Sequence, residues 1–393
     1  MHLDPVQVVP ERLRIGRRDW MMIALAFVVS RIALYCIGYF GAMHYNVETD
    51  FIDAINFVAA VEDDIPSMFC QFDCGWFQSI ADVGYDTYPH GLTTGHAANW
   101  AFLPGFPMTG YWIGKVLGIG TLYGFYILTN LMFFVCLPLF FLCLRQLGQD
   151  LETARFGVWL LAFSPYSIYF IAPYTESTFL AFTMMVFLFS YRHRWLWVAV
   201  AGALMTATRN LGVMVVFSVA ILAWQAYGWR ELLRFGERSL RVLLTLWVIP
   251  LALFSYMLYL HLHVGDAFAF KNVQLAWGRV FDNPFHYWWE GFSTGGRKYY
   301  LSVVIALGWA MNMYLLYQRR YAEALFMLIC TMVPLVTSTN AFPRYLFGLY
   351  PTMLVLVLWI RNKPMLRPLL LALSALLSAY FTIAWVNAKF FVV

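Results

Sequence analysis

The sequence predicts an all-α protein that crosses a membrane many times, and three observations support this. Of its 393 residues, 62% are hydrophobic and only 12% are charged, whereas soluble domains are about 25% charged. The apolar residues form continuous runs, many near the ~20 residues that a membrane helix needs, without the two-residue alternation of a membrane β-barrel. The arginines cluster in short segments between these runs, as they do in the cytoplasmic loops of membrane proteins.

The remaining composition excludes several classes of function. The net charge of +5 does not indicate nucleic-acid binding, because the basic residues are confined to short loops. Cys70 and Cys74 are four residues apart, where a disulfide is strained, so free thiols are favoured. His90 and His96 are weak metal ligands without well-spaced companions. No phosphate-binding loop or dinucleotide fingerprint is present, so ATP or NAD use is unsupported. Four further cysteines lie in apolar segments and are expected to be packing residues: Cys36, Cys136, Cys143 and Cys330.

The first span is predicted over residues 20–43. Arginines between positions 12 and 18 precede it, which places the N-terminus in the cytoplasm. The run is too long for the core of a signal peptide. Arg31 lies near its middle, and an intramembrane arginine rarely faces lipid. It is expected either to snorkel or pair inside the bundle, or to contact a phosphate or an acidic group.

Residues 44–120 are predicted to form the first outer loop. Up to residue 98 the loop contains many Asp and Glu but no Lys or Arg, which indicates the outer side. Segments 53–60 and 76–82 are expected to be short amphipathic helices lying on the membrane. Segment 102–118 resembles a span, but the loops before and after 99–145 lie on opposite sides of the membrane. An odd number of crossings must therefore join them, and the span 122–144 already supplies one. We therefore predict an interfacial or re-entrant helix there.

The remaining runs complete about eleven spans in a single transmembrane domain covering residues 1–393. After the first span they are 122–144, 155–172, 175–191, 195–208, 211–228, 241–262, 299–317, 321–338, 345–361 and 367–388. Some polar clusters are not explained by the distribution of basic residues. With this topology, every one of them lies on the outer side. An enzyme or a transporter needs such a grouping, whereas a structural protein does not.

Two outer carboxylates could contribute chemistry. Asp73 lies within the aromatic stretch 72–77, where partial desolvation would make it a better general base near neutral pH. The alternative is that Asp73 caps the N-terminus of a helix. Glu176 begins a later helix at the outer side, where an acid suits the helix dipole. It could instead contact a ligand.

Several outer cations lie where the topology disfavours them. Arg209 and Arg344 are at outer helix ends without an acidic partner nearby in sequence. An anionic ligand would explain them, because guanidinium groups match phosphate geometry. Lys271, Arg279, Arg297 and Lys298 are further outer cations. Lipid headgroup contact is the alternative for Arg209, Arg344, Arg297 and Lys298. The aromatic loop 263–298 suits either a membrane-interface belt or stacking on sugar rings.

A series of motifs resembles the GPI mannosyltransferase II family (PIG-V) and its prokaryotic relatives. That family has an Asp-x-x-Trp-Tyr element followed by Ala-Phe-Phe-Pro-x-x-Pro. Here Asp73-Cys-Gly-Trp76-Phe77 precedes Ala-Phe-Leu-Pro-Gly-Phe-Pro at 101–107, with Phe77 replacing the usual Tyr. The series continues with Ser164-Pro165, Pro173-Tyr174-Thr175-Glu176-Ser177, Thr208-Arg209-Asn210-Leu211-Gly212, Gly265-Asp266 with Phe270 and Gln274, and Pro343-Arg344-Tyr345.

The resemblance implies a GT-C glycosyltransferase that uses a polyprenyl-phosphate sugar, typically mannose. It implies that Asp73 is the catalytic base in the first outer loop. It also implies amphipathic helices in that loop, which agrees with the prediction for 102–118. On this basis we expect Arg209 and Arg344, with Lys298, to stabilise the leaving phosphate. The expected substrate contacts are Trp76, Glu176, Gln274 and Tyr345.

The expected setting is an inner membrane, with the N-terminus in the cytoplasm and the site on the outer face. The acceptor is expected to be a lipid, a glycan or a protein, and no nucleic acid is expected. No cofactor is certain, and the need for a divalent metal stays open. The loop composition and short termini favour a prokaryotic relative, for which a GPI acceptor is implausible. The alternatives are a flippase or transporter of polyprenyl-linked sugars, and a non-catalytic membrane subunit.

Overall fold

The computed structural model describes residues 14–44, 65–92 and 95–389. Within those ranges the chain forms eighteen α-helices joined by turns and short 3₁₀ segments. The helices are α1 (Arg17–His44), α2 (Ile65–Phe69), α3 (Cys74–Asp82), α4 (Gly105–Leu117), α5 (Thr121–Gln146), α6 (Leu151–Ala162), α7 (Glu176–Tyr191), α8 (Trp195–Thr208), α9 (Val215–Tyr227), α10 (Trp229–Leu232), α11 (Glu237–Val264), α12 (Ala269–Asn272), α13 (Pro284–Thr294), α14 (Gly296–Tyr317), α15 (Tyr321–Leu335), α16 (Phe342–Phe347), α17 (Tyr350–Ile360) and α18 (Arg367–Val386).

Six helices in the described ranges are long and apolar enough to cross a membrane. They are α1, α5, α11 and α14, together with α9 and α18 extended by the 3₁₀ turns that precede them. Four further apolar helices, α7, α8, α15 and α17, have between 10 and 17 residues, fewer than the ~20 of a full crossing. The predicted all-α, membrane-spanning fold class is confirmed, and the protein is an integral membrane protein.

Two predicted spans are interrupted in the structure. The first, 155–172, was predicted as one helix, but α6 ends at Ala162 and the chain continues as a 3₁₀ turn over Ser167–Phe170. Pro165 cannot supply a backbone donor to a continuing helix. The second, 345–361, is divided between α16 and α17. Non-helical backbone inside a membrane is tolerated only where protein encloses it, and residues 164–175 are all buried.

With the N-terminus in the cytoplasm, the predicted spans place the segments around Arg155 and Arg367 on the cytoplasmic side as well. These segments meet at one end of the bundle, which we call the basic end. Arg155 Nε of α6 donates to Asp19 Oδ1 of α1 at 2.8 Å. Arg367 Nη2, at the start of α18, donates to Thr153 Oγ1 of α6, also at 2.8 Å. Loops far apart in sequence therefore share one end, as the predicted alternation of crossings requires.

The segments predicted to be outer meet at the opposite end, which we call the site end. Trp385 Nε1 of α18 donates to the carbonyl oxygen of Phe69 in α2 at 3.1 Å. Thr121 Oγ1, at the start of α5, donates to Asp82 Oδ1 of α3 at 2.6 Å. The first outer loop, as far as it is described, thus covers the site end.

The helices of the first outer loop differ in part from the expectation. Segment 76–82 is helical, as α3, but its aromatic side chains pack into the protein and do not lie on a membrane surface. Phe77, for example, is 2% exposed and its ring lies against Phe106 and Tyr174. Helix α4 has 13 residues, too few for a crossing. Segment 53–60 lies outside the described residues.

Candidate active site

Asp73 lies at the N-terminal end of α3, and its side chain does not cap the helix. Its backbone N–H donates to the hydroxyl oxygen of Tyr174 at 2.8 Å. The same hydroxyl donates to the carbonyl oxygen of Gln71, also at 2.8 Å. Tyr174, which is fully buried, therefore holds the chain on both sides of Phe72 and leaves the Asp73 carboxylate for another partner.

A disulfide closes this short loop, contrary to the prediction of free thiols. Cys70 and Cys74 are bonded, with their Cα atoms 5.2 Å apart. Strain at this spacing arises in a continuous helix, but here α2 ends at Phe69 and α3 begins at Cys74. The intervening Phe72 adopts a positive φ of 52°. This turn brings the two cysteines together and fixes the loop that carries Asp73.

Arg344 is the partner of Asp73, although 271 positions separate them. Arg344 Nη1 donates to Asp73 Oδ2 at 2.5 Å, and Arg344 Nε donates to Glu176 Oε1. The guanidinium also lies over the rings of Tyr174 and Tyr169, at 4.6 and 5.4 Å from their centroids. Arg344 is only 7% exposed, so its charge depends on these partners.

Glu176 joins the two arginines that the sequence placed on the outer side. Its Oε1 accepts from Arg344 and from Arg209 Nη1, the latter at 2.7 Å. Glu176 is fully buried, and its Oε2 has no hydrogen-bond partner among the described residues. Its carboxylate therefore does not serve as a helix cap. It holds two guanidinium groups side by side and leaves one oxygen for a further donor.

Breaks in the helices place these four side chains together. Arg209 lies in extended backbone between α8 and a 3₁₀ turn. Glu176 begins α7 after the buried non-helical segment 164–175, and Arg344 lies in α16, a helix of only six residues. At membrane depth, interrupted helices of this kind are characteristic of binding sites.

A small, partly open cavity adjoins the cluster. Its lining includes Arg209 and Arg344 from the cluster together with Tyr345. The guanidinium of Arg209 lies over the ring of Tyr345, 5.3 Å from its centroid. Two cationic residues and a tyrosine therefore share the wall of this cavity.

The other predicted substrate contacts lie at different positions. Tyr345 is in the cavity wall. Gln274 reaches the site indirectly, because its Oε1 accepts from Arg279 Nη1 at 2.6 Å. Trp76 is 5% exposed and stacks on other aromatic rings of the site end. Lys298 is not part of the cluster, since its Nζ donates to Glu290 Oε1 at 2.7 Å on the partly exposed helices α13 and α14.

Arg31 lies inside the bundle, one of the two placements expected for it. Its Nη1 donates at 2.8 Å to the carbonyl oxygen of Phe170, which lies in the interrupted segment between α6 and α7. The guanidinium also covers the ring of Phe133, 4.3 Å from its centroid. Arg31 therefore supports the non-helical segment that carries Tyr169 and Tyr174 to Arg344.

The sequence did not single out three of the residues that build the site. Tyr169 and Tyr174 form an aromatic wall against Arg344, and a signal existed only for Tyr174, which belongs to a quoted motif. Arg279 was one of several outer cations, with nothing to distinguish it from Lys298. Among the described residues, no group of three or more His, Cys, Asp or Glu side chains could hold a metal ion.

Comparisons with known proteins give a likeness of fold only. No protein-family model and no curated protein matches the chain. The chain is similar to the crystal structure of the oligosaccharyltransferase of Archaeoglobus fulgidus, at 14% identity and a TM-score of 0.44, over 94% of this chain and 52% of that one. A structure of the archaeal enzyme AglB with an inhibitory peptide and a dolichol-phosphate gives 13% identity and a TM-score of 0.44, over 92% of this chain and 55% of that one.

This chain therefore spans about half the length of the solved structures that it matches. A TM-score of 0.44 describes a loose likeness of helix arrangement. The functional assignment accordingly depends on the residues of this chain, which is an all-α integral membrane protein.

Proposed function

We propose that this protein is a GT-C-type glycosyltransferase that transfers a sugar from a polyprenyl-phosphate donor to an acceptor hydroxyl, with inversion. The family resemblance makes mannose the first sugar to test. The observation that carries the proposal is the contact between Asp73, a candidate base, and Arg344, a buried cation, at one end of a membrane bundle. A base and a phosphate-binding cation are the two groups that this reaction needs.

Asp73 is the proposed general base. Its Oδ2 is bound to Arg344, whereas its Oδ1 has no hydrogen-bond partner among the described residues and its side chain is 24% exposed. A free oxygen that is fixed in place and accessible can accept the proton of an acceptor hydroxyl. General-base catalysis of this kind contributes about 10²–10⁴-fold to the rate.

In the proposed reaction the acceptor oxygen forms a bond to the anomeric carbon as the bond from that carbon to the phosphate oxygen breaks. The proton of the hydroxyl passes to Asp73, and the electron pair of the broken bond leaves with the polyprenyl phosphate. The phosphate changes from a diester with one negative charge to a monoester with up to two. Guanidinium groups placed for that charge stabilise it most as it develops.

Arg344 would couple these two events. In the resting site its charge is shared between Asp73 and Glu176. When Asp73 takes the proton, its carboxylate becomes neutral and Arg344 loses one of two anionic partners. This loss coincides with the second negative charge on the phosphate. Arg344, with Arg209 beside it, would then interact more strongly with the leaving group than with the intact donor.

The remaining site residues have supporting roles in the proposal. The free Oε2 of Glu176 can accept a hydrogen bond from a hydroxyl of the sugar or the acceptor. Tyr345 contributes its phenol to the cavity wall, and Trp76 belongs to the aromatic packing beneath the loop of Asp73. Gln274 would act through Arg279. We leave Lys298 out of the phosphate site because Glu290 already binds its Nζ.

The disulfide between Cys70 and Cys74 supports an outer location for the site. Disulfides persist in oxidising compartments such as the periplasm and are rare in the cytoplasm. The basic residues of the opposite end give the same orientation by an independent rule. A lipid-linked donor also suits the outer face, since it needs no nucleotide there.

The test is sugar transfer by the purified protein in liposomes that contain polyprenyl-phosphate mannose labelled in the sugar, with hydroxyl acceptors from native membranes. The proposal predicts a labelled glycoside of inverted configuration and release of polyprenyl phosphate. Movement of the labelled lipid between leaflets without any glycoside would refute it and support the flippase alternative. If neither sugar transfer nor movement of the labelled lipid is detected, the result would support a non-catalytic subunit.

A further inference from the structure

Arg279 differs from the other guanidinium groups at the site in its partners. Its Nη1 donates to the amide oxygen of Gln274 at 2.6 Å, and its Nη2 lies 3.5 Å from the hydroxyl of Tyr345. Both partners are neutral. Arg209 and Arg344, in contrast, contact the carboxylates of Glu176 and Asp73. Among the described residues, no carboxylate lies within ion-pair distance of Arg279.

The charges of this group of five ionisable side chains do not cancel. Asp73 and Glu176 supply two negative charges, and Arg209, Arg279 and Arg344 supply three positive ones. The excess positive charge therefore belongs to Arg279. Arg279 is half-buried, and its charge adds to that of two arginines whose carboxylate partners are already shared. The arrangement therefore favours an anionic ligand beside Arg279.

Tyr345 shows where that ligand would lie. The guanidinium of Arg209 covers its ring at 5.3 Å, and Arg279 approaches its hydroxyl group. Both guanidinium groups thus contact Tyr345, a side chain of the cavity wall. Gln274 holds Arg279 in this position, which reduces the entropy lost when a ligand binds.

We propose that Arg279 is a binding residue for the phosphate of a polyprenyl phosphate, and that it favours the monoester product over the diester donor. This inference rests on the proposed function. A phosphate monoester carries up to two negative charges and a diester only one, so an unneutralised guanidinium interacts more strongly with the monoester. Arg279 would then stabilise the leaving group as the bond to the sugar breaks.

The experiment measures binding, independently of sugar transfer. A fluorescent polyprenyl phosphate and the matching polyprenol, which lacks the phosphate, are titrated against the full-length protein in lipid nanodiscs. The variants are Arg279→Gln, which keeps a hydrogen-bonding side chain without the charge, and Arg279→Lys, which keeps the charge. Lys298→Gln is the matched control, because it removes a cation that is already paired outside the cluster. Inorganic phosphate is added as a competitor to separate headgroup recognition from lipid binding.

We expect Arg279→Gln to weaken binding of the polyprenyl phosphate by on the order of tenfold, which corresponds to about 1.4 kcal/mol, because a charge-assisted contact to the phosphate is lost. Arg279→Lys should restore part of the affinity, Lys298→Gln should match the wild type, and polyprenol binding should not change. Inorganic phosphate should displace the polyprenyl phosphate from the wild type more effectively than from Arg279→Gln.

Two results would overturn the inference alone: unchanged binding of the polyprenyl phosphate by Arg279→Gln, or an equal loss of polyprenol affinity, which would assign Arg279 to the packing of the lipid site. Failure of the wild type to bind any polyprenyl phosphate would overturn the proposed function together with this inference.

Discussion

Replacing Glu176 by Gln tests the charge cluster most severely. Glu176 is fully buried, and its Oε1 binds both Arg209 and Arg344. Two unit charges about 4 Å apart interact by about 4 kcal/mol at an effective dielectric constant of about 20. Two such contacts therefore contribute about 8 kcal/mol. The substitution also removes the desolvation cost of the buried carboxylate, and the net loss is smaller by that amount.

Removing one partner of a buried ion pair costs about 3–5 kcal/mol in proteins, and we expect Glu176→Gln to lose that much in free energy of unfolding. The loss should be measured by denaturant titration in detergent micelles. Sugar transfer should fall by on the order of 10²-fold or more. The reason is that Arg344 would keep Asp73 as its sole carboxylate partner, and the two arginines would repel each other.

Glu323→Gln is the matched control at the basic end. Glu323 is 2% exposed and its Oε1 accepts from Arg320 Nη2 at 2.7 Å, so its replacement should destabilise the fold by a comparable amount. Transfer per folded molecule should be unchanged, since neither Glu323 nor Arg320 lines the cavity or contacts the side chains of the cluster. Wild-type stability of Glu176→Gln, or an equal loss of transfer in both variants, would contradict this role of Glu176.

Three further predictions concern the support of the cluster. Serine at both Cys70 and Cys74 should lower kcat by up to tenfold while KM for the donor is unchanged, because the loop holding Asp73 loosens but the cations stay; steady-state kinetics with and without reductant checks this. Arg31→Met should cost about 1.5–3 kcal/mol through the lost bond to the interrupted segment, and Arg31→Lys should recover part of it in denaturant titrations. Gly105→Ala should raise KM for the donor and cost about 1–3 kcal/mol, because its Cβ would lie 2.6 Å from a backbone oxygen at the end of α8, two residues before Arg209.

Each of these three has a control or a contradicting result. The wild type treated with reductant should behave as the double serine variant does, and the double serine variant should not respond to reductant. Arg31→Lys that is no more stable than Arg31→Met would exclude the proposed support. Gly236→Ala, at a position where a Cβ meets nothing within 4 Å, should leave KM unchanged. An equal rise of KM in both glycine variants would contradict the steric explanation.

The sequence predicted the membrane helices well because hydropathy is a local property. The first span was predicted at 20–43 and is Arg17–His44, and the span predicted at 195–208 is Trp195–Thr208. The interruption after Ala162 was missed, because the run stays apolar through residue 172 and only burial by neighbouring helices permits a break there.

The side chains of the site could be predicted individually but not as contacts. Asp73 and Arg344 were both selected, from the aromatic setting of one and the outer position of the other. Their ion pair spans 271 positions and has no signature in local sequence. The shared position of Glu176 between two arginines depends in the same way on the packing of separate helices.

Two differences between the expectations and the structure have simple physical causes. The disulfide of Cys70 was disfavoured because the spacing was judged for a helix, whereas a turn at Phe72 changes the geometry. Lys298 and Arg279 carry the same charge and both fall in the predicted loop 263–298, so in the sequence nothing distinguishes them. Their partners in the structure do. Glu290 is eight residues from Lys298, so their ion pair could have been expected from the sequence. The approach of Arg279 to Tyr345 could not, because the two residues are far apart in the chain.

The most direct test of the central claim is the single-turnover rate of sugar transfer from polyprenyl-phosphate mannose by Asp73→Asn, measured beside donor binding. Asp82→Asn is the control, since Asp82 lies on the same helix but binds Thr121 instead of the cluster. We expect Asp73→Asn to lose about 10²–10⁴-fold in rate with donor binding within a few-fold of the wild type, while Asp82→Asn stays active. Transfer by Asp73→Asn at the wild-type rate would contradict the assignment of Asp73 as the base.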